Sequence, residues 1–375
     1  MYNLITPPPS APTTASAQPS DNQRVDSNKL MYHPERVSDW LHGKDVYPIN
    51  MEVCLIGACN HRCIFCGCDY MQYKPYIIPM PTILKVFDET YPKGLRSVLF
   101  AGSGEPLLHP DFATIVNKTK EIGIDIAVST NGALFKPSIL DQCLKDISWV
   151  RFSVSAGTEA RYKTIHRGRD GDLQRVFDNI EYAANLKAKN NYDVVLNVQI
   201  VMIPDNVDEI VLLAKEVKAR GADRFVVKSY GDNFSTENTI KKDITLKFFN
   251  DNQGFRDELM SLNDNKFEAL YRQNRINAEF SEHHYGRCYG SSFYVCICAD
   301  GNVCPCCNLQ GMEEYYFGNI NEQSFEEIWK SERHAQVMKR LEEINLLPCP
   351  HACRLDSINR FLDGLVHPDK HINFI

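Results

Sequence analysis

The residues best suited to do chemistry in this chain are its cysteines. CNHRCIFC places Cys59, Cys63 and Cys66 with three and two residues between them, directly after a β-rich run. A closed zinc or iron–sulfur site takes four protein ligands, so three thiolates leave one metal position open to a small molecule. Short cysteine runs also build zinc sites. A knuckle that borrows Cys68 or His61 is therefore a competing reading, and plain buried thiols are a third. A second concentration starts at Arg287 with CYGSSFYVCICADGNVCPCC and ends in CPHAC. That density points to a small metal-organised domain, with iron–sulfur and structural zinc as rival fillings. Cys296, Cys298, Cys304 and Cys307 compete there for ligand places, although Cys296 and Cys298 alternate as strand residues do and read as small apolar side chains. Cys54 and Cys143 fall on a predicted strand and helix and read as buried. Cys68 stands beside the first set but outside its spacing.

Such loops need a frame. Between Ile49 and about Tyr230, β-rich runs alternate with segments of helical period, the pattern of successive βα units on a parallel sheet. Strands are predicted at Asn50–Leu55, Ser97–Ala101, Asp125–Ser129, Trp149–Val154, Val194–Met202 and Arg224–Lys228, with helices near Pro81–Thr90, Pro110–Ile122, Pro137–Leu144, Leu173–Lys187 and Val207–Ala219. Six such units suit a partial (β/α)6 TIM-like barrel or an open doubly wound sheet. Both place chemistry at the C-terminal ends of the strands. Residues 1–29 carry Pro7, Pro8, Pro9, Pro12 and Pro19 among small polar residues and read as a disordered tail. The barrel then occupies 30–230, an Asn-rich bridge with a helix across Phe255–Tyr271 fills 231–286, and the cysteine-rich domain takes 287–375. In that last part Ser324 and Glu327 form a capping-box pair opening a helix with Ile328, Trp329, Val337 and Leu341 on one face.

Composition excludes several classes. Lys+Arg 41 against Asp+Glu 48 gives a net charge of -7, so no global basic surface faces a nucleic-acid backbone. No apolar run approaches the ~18 residues of a membrane span; the longest, Val194–Ile203, is interrupted by Asn197 and Gln199. The 14 cysteines in 375 residues fall far short of a disulfide scaffold. The N-terminus MYNLITPPPS lacks the basic and apolar regions of a secretory signal, so a reducing cytoplasm is expected.

The loop CNHRCIFC at a first strand tip resembles the signature of the radical S-adenosylmethionine (radical SAM) superfamily. The resemblance implies that Cys59, Cys63 and Cys66 hold a [4Fe–4S] cluster whose fourth iron is chelated by SAM, with Phe65 against the adenine. Further strand tips fit the same family. FAGSGEPLLHP offers Ser103, Gly104 and Glu105 for the SAM amino group, with Ser103 replacing a more common glycine. STNG offers Ser129 and Asn131, RFSVSAG offers Ser153 and Ser155, and Gln199 lies on the fifth strand. The C-terminal region resembles the SPASM or shorter twitch extension: Cys288, Gly301 and Cys306 fit its opening pattern, and Cys349 and Cys353 complete four ligands. No cysteine lies between Cys307 and Cys349, so the resemblance implies one auxiliary [4Fe–4S] cluster rather than the two of a full SPASM domain.

The activity implied is reductive cleavage of SAM to a 5′-deoxyadenosyl radical that abstracts hydrogen from a substrate carbon. An external donor such as flavodoxin or ferredoxin would supply the electron. Fewer than 50 residues precede the first strand, too few for a leader-binding domain, which favours oxidation, dehydration, epimerisation or a similar change of a small polar, sugar-like molecule. A peptide or protein maturase is the alternative, and a non-catalytic iron–sulfur or zinc protein the second. His109, flanked by a proline in LLHPDF, reads as a helix start, while His166, Arg167, Lys228 and Tyr230 stand where substrate is expected, without assigned roles.

Overall fold

The computed structural model describes residues 28–374 except 232–234, 239, 272–282, 284, 344–348 and 350–352. Most of the proline-rich tail expected over 1–29 therefore lies outside the described residues. Among the described residues ten strands form one sheet: β1 (Asn50–Val53), β2 (Ser97–Phe100), β3 (Asp125–Thr130), β4 (Trp149–Ser153), β5 (Val195–Met202), β6 (Arg224–Ser229), β7 (Glu268–Tyr271), β8 (Tyr294–Ile297), β9 (Asn302–Cys304) and β10 (Gly318–Asn319). Their order is β10-β9-β8-β1-β2-β3-β4-β5-β6-β7. Strands β1 to β7 run parallel. The six predicted strands are its centre, curled as a partial barrel.

Alternation along these strands separates two environments. Val53, Val98, Phe100, Ile126, Val128, Val150, Phe152, Val198, Ile200, Phe225 and Val227 are fully buried in the main core, which also takes Ile83, Phe87, Ile115, Leu140, Val176, Ile180 and Leu213 from the covering helices. Phe87, Phe100, Phe112, Phe135 and Phe152 form a chain of rings 6.2–6.3 Å apart. The other parity lines the lumen and is mixed: Glu52, Ser129, Arg151, Ser153, Asn197, Gln199 and Lys228 are polar, while Leu99, Ala101, Ala127 and Trp149 form a small apolar cluster.

The sheet runs past the six-unit expectation at both edges. The predicted helix over Phe255–Tyr271 is instead a helix over Gln253–Met260 followed by β7. The cause is local. The Asp264 carboxylate accepts the N–H groups of Lys266 (2.8 Å) and Phe267 (2.9 Å), a turn that ends the helical run before Glu268–Tyr271 pairs with β6. At the other edge β8, from the cysteine-rich region, pairs in parallel with β1, Asn50 opposite Tyr294. The capping box at Ser324 and Glu327 is present, but its helix stops at Trp329, because Ser331 caps a second helix over Glu332–Arg340. Glu89 accepts the N–H groups of Phe325 and Glu326, and Trp329 donates to the Val46 carbonyl, tying this region to the barrel. No helix among the described residues is long and apolar enough to cross a membrane.

Candidate metal centre

The loop after β1 is held from four sides. Beneath it, Glu105 N–H donates to the Ala58 carbonyl (2.9 Å). Gly104 packs so closely that an added Cβ would sit 2.0 Å from the Ile56 oxygen and 2.5 Å from that of Ala58. From β3, Asn131 Nδ2 donates to Asn60 Oδ1 (2.8 Å). From the helix over Glu159–His166, the carbonyls of His166 and Ile165 accept the N–H groups of Arg62 (3.0 Å) and Ile64 (2.9 Å). The Cys66 carbonyl accepts from Asn238 Nδ2 (2.7 Å).

Within this cradle the three thiols face one another's fields. Burial, and then the Glu105 carboxylate, push the Cys59 thiol up to about 12. Burial, then Cys66 and Cys59, raise Cys63 far above the usual thiol range. Burial raises Cys66 as well, against a hydrogen bond from the Tyr73 hydroxyl. Three thiols gathered in one loop form a soft donor set, one short of the four protein ligands of a closed cluster. The set fits a thiophilic iron centre with one open position.

The second set also converges. Burial and then Cys307, Cys353, Cys288 and Cys349 raise the Cys306 thiol, and burial, Cys353 and Cys288 raise Cys349. Cys288 receives a long contact from Asn359 Nδ2 (3.8 Å), and Cys353 accepts from Leu355 N–H (3.4 Å). A tetrahedral zinc site with Zn–S of ~2.3 Å draws its sulfurs to roughly 3.8 Å. Among the described residues, the only histidine, cysteine and carboxylate group drawn within 4.8 Å is His61, Cys63 and His166. Neither thiol set falls within that limit.

The remaining thiols were only partly legible. Cys296, Cys298 and Cys304 form a fully buried cluster of their own, with Cys307 packed against it and Cys298 Sγ 3.8 Å from Cys304 Sγ. Cys68 lies within the fields of Cys66, Cys307 and Cys54, and Cys143 is buried on its helix, as expected.

The residues expected around SAM divide into groups. Glu105 and Asn131 brace the loop: Glu105 accepts from the Thr130 hydroxyl (2.6 Å), Asn131 N–H (2.8 Å) and Leu107 N–H (3.2 Å), and its burial pushes the carboxyl up to about 7. Ser129, Ser153 and Gln199 belong to the lumen, whereas Ser103 lines a pocket with Gly57, Tyr70 and Ala299. Ser103 Oγ lies 3.3 Å from Cys54 Sγ, Ser129 Oγ accepts two hydrogen bonds from Arg151 (2.9 and 3.1 Å), and Ser153 pairs in register with Gln199. Phe65 stands apart, edge-on to His166 at 5.3 Å. His109 bonds the Ile78 carbonyl (2.9 Å) and Asp111 N–H (3.1 Å), a structural role. Sequence reasoning missed Asn60, Tyr73 and Asp172: Asn60 lies inside CNHRCIFC but at none of its ligand positions, and the other two lie outside any spaced motif.

Inside the lumen lies a cavity of about 490 Å³, lined in part by Asn50, Arg151, Gln199, Lys228, Tyr294 and Arg354. Glu52 pairs with Arg354 and accepts from the Tyr294 hydroxyl (2.8 Å).

Comparison with known proteins adds identity to geometry. Residues 53–227 match the model of the radical SAM superfamily, and residues 288–354 match that of SPASM, an iron–sulfur cluster-binding domain. The AdoMet-dependent heme synthase of Methanosarcina barkeri is 25% identical over 305 residues, covering 77% of this chain and 83% of that protein. The tungsten-containing aldehyde ferredoxin oxidoreductase cofactor-modifying protein of Pyrococcus furiosus is 25% identical over 299 residues, covering 75% and 80%. Streptococcus suis SuiB bound to S-adenosylmethionine superposes with a TM-score of 0.61 at 17% identity, over 81% of this chain and 70% of SuiB. SuiB bound to its precursor peptide SuiA gives 0.62 at 16% identity, over 81% and 69%.

Proposed function

The chain belongs to the radical SAM superfamily and carries a SPASM domain at its C-terminus, and from that premise we propose that it modifies a small polar substrate held in the barrel lumen. It is a radical SAM enzyme that uses a [4Fe–4S] cluster, SAM and an auxiliary iron–sulfur cluster. Bound SAM, given one electron, supplies methionine and a 5′-deoxyadenosyl radical able to take hydrogen from an unactivated carbon.

The chain's own residues divide the work in this reading. Cys59, Cys63 and Cys66 hold the SAM-binding cluster, and Cys288, Cys306, Cys349 and Cys353 hold the auxiliary one. Gly104, Glu105 and Asn131 fix the cluster loop to two strand tips, where SAM also docks; Phe65, Ser103, Ser129, Ser153 and Gln199 complete its surroundings. The observation that carries the substrate class is the lumen cavity. In many barrels this space is packed with branched apolar side chains. Here it is open, with Asn50, Arg151, Gln199, Lys228 and Arg354 set among apolar walls from Leu30, Ile49, Leu99, Phe293 and Leu355. Arg151 is pre-oriented by its paired bonds to Ser129, so its polar edge costs little to order when a ligand arrives.

The electron comes from a cytoplasmic flavodoxin- or ferredoxin-like donor. A peptide substrate is the competing reading, since SuiB has been solved with its precursor peptide. Anaerobically reconstituted protein is expected to yield 5′-deoxyadenosine from SAM and dithionite, and absence of product would defeat the enzymatic reading. Deuterium transfer into 5′-deoxyadenosine from a labelled small polar metabolite supports the lumen reading; transfer from labelled peptide alone overturns it.

A further inference from the structure

The helix over Glu159–His166 ends with a side chain that the reaction described so far does not use. His166 is 1% exposed, stacked on Tyr162 at 4.1 Å and faced by the edge of Phe65. Its Nε2 receives the backbone N–H of Ser155 at 2.8 Å. A backbone N–H can only donate, so Nε2 carries a lone pair and the neutral ring keeps its hydrogen on Nδ1. That Nδ1 lies 3.3 Å from Cys63 Sγ.

The tautomer also settles what His166 is not. His61, Cys63 and His166 bring their ligand atoms within 4.8 Å, close enough for one metal ion. With Nδ1 bearing hydrogen and Nε2 engaged by Ser155, the ring offers no free lone pair to an ion. What it offers is an N–H aimed at sulfur. His61 is held behind it by Asp172, with Nε2 3.0 Å from Oδ2. The backbone bonds from Arg62 and Ile64 to the end of the same helix keep Cys63 in register with the donor.

We infer that His166 is a positioning residue that donates an Nδ1–H···S hydrogen bond to the Cys63 thiolate and makes the SAM-binding cluster easier to reduce. The inference rests on Cys63 being a ligand of that cluster. One electron from a low-potential donor adds negative charge to the cluster and its thiolates, and a hydrogen-bond donor stabilises the reduced state more than the oxidised one. Removing the donor therefore makes the midpoint potential more negative and slows reductive SAM cleavage without touching SAM or substrate.

Potentiometric titration of the reconstituted full-length protein, followed by EPR, tests this. The signal that changes when SAM is added reports this cluster, and the auxiliary signal is an internal reference. His166→Leu is expected to shift the first potential to more negative values and leave the second in place. His166→Asn, whose amide N–H reaches the position of Nδ1, is expected to recover most of the shift, whereas His166→Gln, whose amide matches Nε2, is not. An unchanged potential in His166→Leu overturns the inference, as does an equal shift in His166→Asn. A readout free of mutation uses wild-type protein carrying histidine labelled with 15N in the imidazole ring alone, since the His61 backbone N–H also donates to Cys59 Sγ (3.4 Å): ring-nitrogen hyperfine coupling to the reduced, SAM-responsive cluster is expected, and its absence overturns the inference. The ligand assignment fails separately, if Cys63→Ala keeps a SAM-responsive cluster.

Discussion

Gly104 shows how one missing side chain can set a cofactor loop. Its Cα lies where any Cβ meets the carbonyl oxygens of Ile56 and Ala58 at 2.0 and 2.5 Å. Backbone cannot yield as a flexible side chain can, so the loop itself must move. Gly104→Ala is expected to cost ~1–3 kcal/mol, as overpacking does, and to lower iron content at the SAM-binding cluster while the auxiliary cluster stays loaded; iron analysis and EPR check both. His334 offers a titration outside either thiol set. It packs on Trp329 at 4.3 Å and Phe317 at 4.6 Å, and burial holds it down at about 4. The unfolded chain, with a histidine pKa near 6.5, binds the proton first, so stability is complete above about pH 6.5 and falls as pH drops towards 4. Discounted for partial exposure, the loss is on the order of 2 kcal/mol. Denaturant titrations between pH 4 and 7 should show this slope, and His334→Phe should flatten it.

At the scale of elements, the two edges of the sheet carry the lesson. The centre was legible: six strands appear with boundaries within a residue or two of those expected, because period-two runs such as Asp125–Thr130 are bounded by polar turns, although the helix expected over Leu173–Lys187 runs on to Asn190 and the one expected from Val207 begins at Ile210. The seventh strand was not, because Phe267 and Leu270 also continue a helical spacing from Phe255 and Leu259. Only the turn made by the Asp264 side chain separates the two periods. The helix over Phe325–Trp329 was read correctly at its start, where the Ser324 hydroxyl accepts Glu327 N–H and the Glu327 carboxylate accepts Ser324 N–H. Ser324→Ala is expected to lower stability by ~1 kcal/mol in denaturant titrations and to leave SAM cleavage unchanged. Its length was misjudged, since Ser331 starts a new helix only two residues after Trp329.

Across the whole molecule, the cysteine-rich region is stitched to the barrel rather than hung from it. Strand β8 extends the barrel sheet beside β1, and Arg354, next to Cys353, reaches Glu52 and Tyr294 in the lumen. This proximity lets an auxiliary cluster face the cavity in which the substrate is proposed to sit. Replacing Cys288, Cys306, Cys349 and Cys353 together by alanine is expected to leave about four of about eight irons per chain and to preserve SAM cleavage while abolishing deuterium transfer from substrate. Loss of all iron would show that the two sets do not load independently.

The sequence by itself determined the chemistry that short spacing encodes: three thiols in one loop, a glycine–glutamate turn, a parallel βα frame and a second run of cysteines. Those signals survive because a loop or a strand is specified by neighbours a few residues away. The tertiary structure decided what long-range proximity controls. It brought Cys306 near Cys349 and Cys353 across some forty residues, turned Glu105 and Asn131 into braces of the loop, and left a cavity with charged and apolar walls where branched side chains often pack. It also set Ser155 behind His166 and Cys63 in front of it, because the proton on an imidazole is fixed by whichever group the fold brings to its far nitrogen.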